Sequence, residues 1–185
     1  MPKFDFALLH EAGHELDEGL PFMSSHMGDA TYGDWKKHSV DDIATLAAAH
    51  FKYDKAYVLA MLADASSKPP AVTPNVPSDS DPDKWKKAHD AVVAWCQSVR
   101  EYCDIWYQAS VCKQVAINGR VYQEAYLEGK RWYSYPYAAR SQGFSGYQFR
   151  APGEWFSEIY ANYYGGRLQS SHPDYAWMKA LVDTE

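Results

Sequence analysis

No stretch of this 185-residue chain holds the about 18 consecutive apolar residues that a membrane-crossing helix needs. That excludes a spanning helix. Cysteine is scarce: Cys96, Cys103 and Cys112 are the three present, an odd number and too few for a disulfide framework. Cys96 and Cys103 fall on one face of a predicted helix, too far apart along its axis to bridge. All three read as reduced, buried thiols, with no cysteine-peptidase signature around them. Basic charge is in deficit, with 18 Lys and Arg against 24 Asp and Glu, a net charge of −6 and a pI near 5.6. Such a balance argues against nucleic acid or an anionic membrane as partner and favours a basic or neutral peptide as substrate. The segment MPKFDFALLHEAGH does not read as a signal peptide, because its apolar run carries Asp5 and goes straight into HEAGH. The localisation is therefore unknown, and export by a non-classical route within a larger protein remains open.

Apolar residues make up 46% of the chain, enough at this length for one domain with a real core. Aromatics are 16%, with 15 Tyr and 7 Trp, and many lie between Trp132 and Tyr164, where they read as core and hairpin packing beside a cleft. The pattern predicts a helix from Phe4 to Glu18 and a Gly-, Ser- and Asp-rich loop to Lys37. Ser39 with Asp42 resembles a capping box and opens a helix to His50, followed by another from Asp54 to Ala65. A Pro- and Ser-rich surface loop covers 66–82. An amphipathic helix follows from Asp83 to Gln108. Alternation from Arg120 to Tyr135, broken at Glu128-Gly129-Lys130, predicts a β-hairpin. A loop from Ala138 to Arg150 and a last helix from Pro173 to Val182 complete the chain. No internal repeat is visible.

The chemistry concentrates in His10-Glu11-Ala12-Gly13-His14. On a helix, His10 and His14 stand one turn apart on one face. Two neutral imidazoles so placed can bind one Zn²⁺ at about 2.0–2.1 Å each. Glu11 points about 100° around the helix, beside the metal, where it can take a proton from the water that the metal activates. Phe6, Leu9, Gly13, Leu16 and Leu20 give the same helix an apolar stripe. Gly13 weakens a helix relative to Ala, and close approach of another backbone is one reason for it. The plain alternative is two half-exposed histidines on a surface helix.

A catalytic zinc needs a third protein ligand and an open position. The strongest source is APGEWFSEIYANYYGG, Ala151 to Gly166, a helix with Pro152 in its first turn and Gly165 or Gly166 at its end. Glu154 and Glu158 share one face, beside a row of Trp155, Ile159 and Tyr163. HEAGH followed far downstream by GEWFSEIYA resembles the gluzincin metallopeptidases, and most closely the bacterial-toxin type typified by anthrax lethal factor, whose second motif runs E-aromatic-F-A-E-x-aromatic. The resemblance implies that His10, His14 and Glu154 bind Zn²⁺ and that Glu11 is the general base. It also implies that Glu158 orients a ligand histidine, and that Tyr147, seven residues before the ligand Glu, steadies the oxyanion. It covers two short segments, about a fifth of the chain.

Other ligand sets compete. The metzincin positions hold Asp17 and Leu20, so that pattern fails. The aspzincin D-x-x-Y-G string is matched by Asp29-Ala-Thr-Tyr32-Gly33, which makes Asp29 a rival third ligand. Asp17 is a candidate partner for an imidazole N–H or a solvated carboxylate near a helix end. His38, His50 and His89 read as surface or capping residues, as do His26 and His172 unless they approach the cleft. The expectation is a predominantly helical α+β domain over residues 1–185, zincin-like, with a small antiparallel sheet or hairpin. Its expected activity is zinc-dependent hydrolysis of a peptide or protein, as in a toxin or effector domain. A non-catalytic zinc-binding or interaction module is the alternative. The predicted hairpin is the candidate edge along which substrate adds as a strand. Only nine residues precede His10, so either the sheet comes from downstream or the chain is part of a larger parent polypeptide, for which a cognate inhibitor is a further expected partner.

Overall fold

A computed structural model describes residues 3–63, 83, 86–87, 90–92, 94–95, 116–125 and 131–183. Its helices are α1 (Lys3–Gly19), α2 (Phe22–Ser25), α3 (Val40–Phe51), α4 (Lys55–Ala63), α5 (Pro152–Tyr164) and α6 (Tyr175–Val182). Its strands are β1 (Lys36–His38), β2 (Ala116–Ile117), β3 (Arg120–Glu124) and β4 (Trp132–Pro136). Short 3₁₀ turns cover Ala30–Tyr32, Tyr137–Gln142 and Tyr147–Phe149. The fold is predominantly helical α+β, with one small antiparallel sheet in the order β1-β4-β3-β2. Among the described residues, no helix is long and apolar enough to cross a membrane.

The sheet is covered on both faces, and strand alternation divides its side chains. Val121, Tyr133 and Tyr135 join Phe149, Trp155, Phe156 and Ile159 in one cluster under α5. Tyr122 and Trp132 point the other way and join Ile43, Ala47, Tyr57 and Val58 from α3 and α4. α3 starts as its sequence predicts. The Ser39 hydroxyl accepts the Asp42 N–H at 3.1 Å, and the Asp42 carboxylate accepts the Ser39 N–H at 2.8 Å. On α1 the apolar stripe is real but shallow: Gly13 is buried and Leu16 packs on the core, whereas Leu20 is 46% exposed. α1 stops at Gly19, one residue before Leu20.

Three expectations need correction. The segment to Lys37 is not a plain loop, since it contains α2, a 3₁₀ turn and the start of β1. β1 reads Lys-Lys-His, has no apolar alternation, and exists because it pairs with β4. Residues 138–150 likewise hold two 3₁₀ turns. The hairpin of β3 and β4 is not a sheet edge, because β2 covers one side of it and β1 the other. The described residues between 83 and 95 are helical. The remainder of the predicted 83–108 helix, the 66–82 loop, the 128–130 turn and all three cysteines lie outside the described residues.

A clamp fixes β1 in place. The Arg120 guanidinium bonds the carboxylate and the carbonyl of Asp34, and also the carbonyl and hydroxyl of Ser134 at 3.1 Å each. With Arg120 as donor, the Ser134 hydroxyl has its own proton for His38 Nε2, 2.8 Å away. His38 is therefore a half-buried network member rather than a surface or capping residue, and its burial pulls its pKa below the usual value.

α1 lies along α5, and the two backbones meet at Gly13. A Cβ there would sit 2.8 Å from Ser157 Cα, closer than non-bonded carbons tolerate. Gly13→Ala should therefore destabilise the fold by about 1–3 kcal/mol of overpacking, despite the about 1 kcal/mol by which Ala favours a helix over Gly. Gly19→Ala, with nothing within 4 Å of the added methyl, should be near neutral. Urea denaturation of both variants checks the contrast.

Candidate metal centre

Three side chains converge where α1 crosses α5. His10 Nε2 lies 3.0 Å from Glu154 Oε2, His14 Nε2 lies 3.2 Å from the same oxygen, and the two imidazole nitrogens are 3.2 Å apart. His10 and His14 come from consecutive turns of α1, and Glu154 from the first turn of α5. Pro152 at the start of α5 supplies a fixed φ where no backbone donor is required. Gly153 leaves room: a Cβ there would stand 3.2 Å from Asp17 Oδ2 and 3.6 Å from His14 Nδ1.

Protons alone do not satisfy this triangle. Each Nε2 carries at most one hydrogen. If both nitrogens donate to Glu154, two N–H groups face each other. If only His14 donates, the bare lone pair of His10 faces the carboxylate oxygen. One edge is repulsive either way, and a cation among the three atoms relieves all three edges. Ligands about 2.0–2.1 Å from a tetrahedral divalent ion stand about 3.3 Å apart, close to the separations present. Among the described residues, His10, His14 and Glu154 are the one set of three placed to hold a metal ion.

The electrostatics agree with an anion held between two donors. Burial pushes the Glu154 carboxyl up, but hydrogen bonds from His10 and His14, together with their charge, outweigh it and hold the pKa at about 2. The hydrogen bond to Glu154 raises His14 against the opposing effect of burial. Glu158, 5% exposed and one turn beyond Glu154, places Oε1 3.7 Å from His10 Nδ1. That is long for a hydrogen bond, yet on the ring edge opposite the cluster, where a carboxylate orients an imidazole. Burial raises the Glu158 pKa against the influence of His10 and a hydrogen bond from Ser145.

Tyr147 stands edge-on to His10, with ring centroids 5.5 Å apart, and is hydrogen-bonded to Glu154. Burial and then the Glu154 charge raise its phenol pKa. Glu11 is solvent-exposed beside the pair of histidines, and its charge reaches His14. Asp17 is turned elsewhere: its Oδ1 accepts the Met23 N–H at 2.7 Å and fixes the entry to α2, while its charge still favours protonated His14.

The rival ligands are not in the cluster. Asp29 caps the Ala30–Tyr32 turn by accepting the Thr31 N–H at 2.8 Å. His26 packs on Phe22 and Tyr32 and bonds the Phe22 carbonyl. His172 bonds the Gln142 carbonyl and pairs with Asp174. His50 is exposed on α3, and His89 lies outside the described residues. Two residues near the centre carry no motif signal. Arg150 is 4% exposed and sets its guanidinium 4.9 Å from the Tyr147 ring centroid. Ser145 bonds Glu158. Neither belongs to a helical or strand period, so spacing does not expose them.

No protein-family model, curated protein or solved structure matches this chain.

Equilibrium titration with Zn²⁺ checks the cluster. Glu154→Ala should abolish tight binding, Glu158→Ala should weaken it about 10- to 100-fold as other ligand-orienting carboxylates do, and Asp29→Ala should leave it unchanged.

Proposed function

We propose that this chain is a zinc-dependent endopeptidase of the gluzincin kind. The observation that carries this reading is the convergence of three donor atoms within 3.2 Å of one another, with Glu154 lying 140 and 144 residues beyond the two histidines in sequence, in an arrangement that protons alone do not satisfy. His10, His14 and Glu154 would hold the ion. When bound, Zn²⁺ supplies Lewis acidity, polarising a peptide carbonyl and making water acidic enough to attack at neutral pH.

The chain's own residues supply the rest. Glu11, one residue after His10 and exposed, is free of the cluster and available to take the proton from the attacking water and return it to the leaving amine. Tyr147 offers a neutral hydroxyl next to Glu154, where it can donate to the oxygen that gains charge in the transition state. Glu158 stands behind the His10 ring, on its Nδ1 side, where it can orient the imidazole so that Nε2 faces the centre. The resemblance to toxin-type enzymes extends the reading to an effector domain acting on a protein substrate.

Two alternatives are less well supported. An aspzincin arrangement requires the Asp29 carboxylate, which is engaged as a turn cap. A closed structural zinc site requires a fourth protein ligand, and among the described residues the cluster has three.

A peptide-library digest with and without chelator tests the activity. Cleavage should need the metal. Glu11→Ala should retain one Zn²⁺ per chain and lose cleavage by about 10²–10⁴-fold. Tyr147→Phe should lower kcat by about 10²–10³-fold, the loss seen for a missing oxyanion donor. Wild-type turnover by Glu11→Ala would refute the mechanism.

A further inference from the structure

The cluster opens on a cleft of about 650 Å³ whose lining includes His14 and Glu154, within the usual size for a ligand site. Its walls differ in charge. Asp17 and Glu18 lie on the α1 side, and Lys37 and Arg131 on the sheet side. The register explains the second pair. Lys37 stands directly opposite Tyr133, and cross-strand partners share a sheet face. Arg131 precedes Tyr133 by two residues and therefore points to that face as well. Lys37 and Arg131 are thus diagonal neighbours, about 7–8 Å apart at the backbone, a spacing that lets two cations share one carboxylate.

Neighbouring residues sharpen the contrast. Lys36, on the opposite sheet face, pairs with Asp34 at 3.6 Å. Lys37 has no ion-pair partner among the described residues. On the α1 wall, Asp17 is committed to the Met23 N–H, which leaves Glu18 as the outward-facing acid. The sheet wall of the cleft thus carries two cationic side chains on one face, each able to make a charge-assisted bond to an anionic group. Helix α1 and strand β1 are the two walls, so a peptide lying in the cleft presents side chains to both.

We propose that Lys37 and Arg131 form a carboxylate-recognition wall, so that the cleft selects peptides bearing an anionic group on the sheet side. This reverses the substrate charge suggested by the net charge of the chain, and it rests on the peptidase reading for its biological meaning. Two sources supply the same chemistry, an Asp or Glu side chain and a free C-terminus.

Binding is measured by fluorescence polarisation on Zn²⁺-loaded Glu11→Gln protein, which leaves the probe intact. The probes are labelled Ala/Gly decapeptides with one central Glu or one central Lys, amidated at the C-terminus, and an uncharged decapeptide with a free C-terminus. The Glu peptide should bind about five- to tenfold tighter than the Lys peptide, as expected for two partly exposed ion pairs, and the preference should fade at high salt. Lys37→Glu/Arg131→Glu should invert it, and Lys37→Met/Arg131→Met should erase it. If the free C-terminus gives the larger gain, the anion is terminal and not a side chain. With an uncharged amidated decapeptide as reference, equal binding of the Glu peptide and the reference together with no gain from a free C-terminus, or a preference untouched by charge reversal, overturns the proposal. Acid-selective binding without cleavage by wild-type protein would overturn the peptidase reading alone. Cleavage without acid selectivity would overturn this wall alone.

Discussion

The crossing of α1 over α5 governs everything else in the site. Its contact point is a pair of small residues in matched places. Gly13 is the fourth residue of His10-Glu11-Ala12-Gly13-His14, and Ser157 is the fourth of Glu154-Trp155-Phe156-Ser157-Glu158. A Cβ on Gly13 would lie 2.8 Å from Ser157 Cα, so the helices approach about as closely as backbones allow. Residues three before and one after a contact point are one turn apart and stand together to one side of it. On α1 these are the two histidines, and on α5 the two glutamates. The close contact thereby lays one pair across the other: Glu154 meets both imidazoles, and Glu158 falls behind the His10 ring. A larger residue at either fourth position would separate the helices, and the donors with them.

The cluster is an electrostatic compromise. Glu154 stands in a largely buried place, where a carboxylate by itself would take up a proton, yet it is held ionised by the imidazoles facing it. Glu158 sits deeper, with fewer opposing donors, and its pKa moves upward. Two carboxyls one turn apart on one helix are thus driven in opposite directions by what each faces. The one facing two ring nitrogens is suited to coordinate a cation. The one behind a ring is suited to orient it. The Tyr147 ring lies against the guanidinium of the buried Arg150, and this contact restrains the phenol next to Glu154.

How much of this was legible in the sequence follows from periodicity. His10 and His14, Glu154 and Glu158, and the Ser39–Asp42 cap each depend on spacing within one helix, and that spacing survives in the fold. The reason for Gly13 was legible as well, because a glycine inside an apolar helical stripe needs a cause. What spacing does not encode is pairing between segments. β1 has a charged sequence and becomes a strand through β4 and the Arg120 clamp on Asp34. Arg150 is a charged residue just after a 3₁₀ turn, and no local rule predicts its burial. Asp29 matched a short string, yet its carboxylate is bound within its own turn, as Asp side chains before helical turns commonly are.

Every described strand follows α1 in sequence, so the sheet beside the motif helix is assembled from downstream. β1 comes first, reached from α1 through α2 and one tight turn, and this brief connection keeps it near the end of α1 that carries His14 and Asp17. The hairpin then adds on the far side of β1, with β4 next to it and β3 beyond. Among the described residues β1 is an edge of the sheet, and its Lys37 lines the cleft. The strand whose residues least resemble a strand is thus an edge, where its lysines discourage indiscriminate pairing, and Lys37 alone of the two faces the cleft.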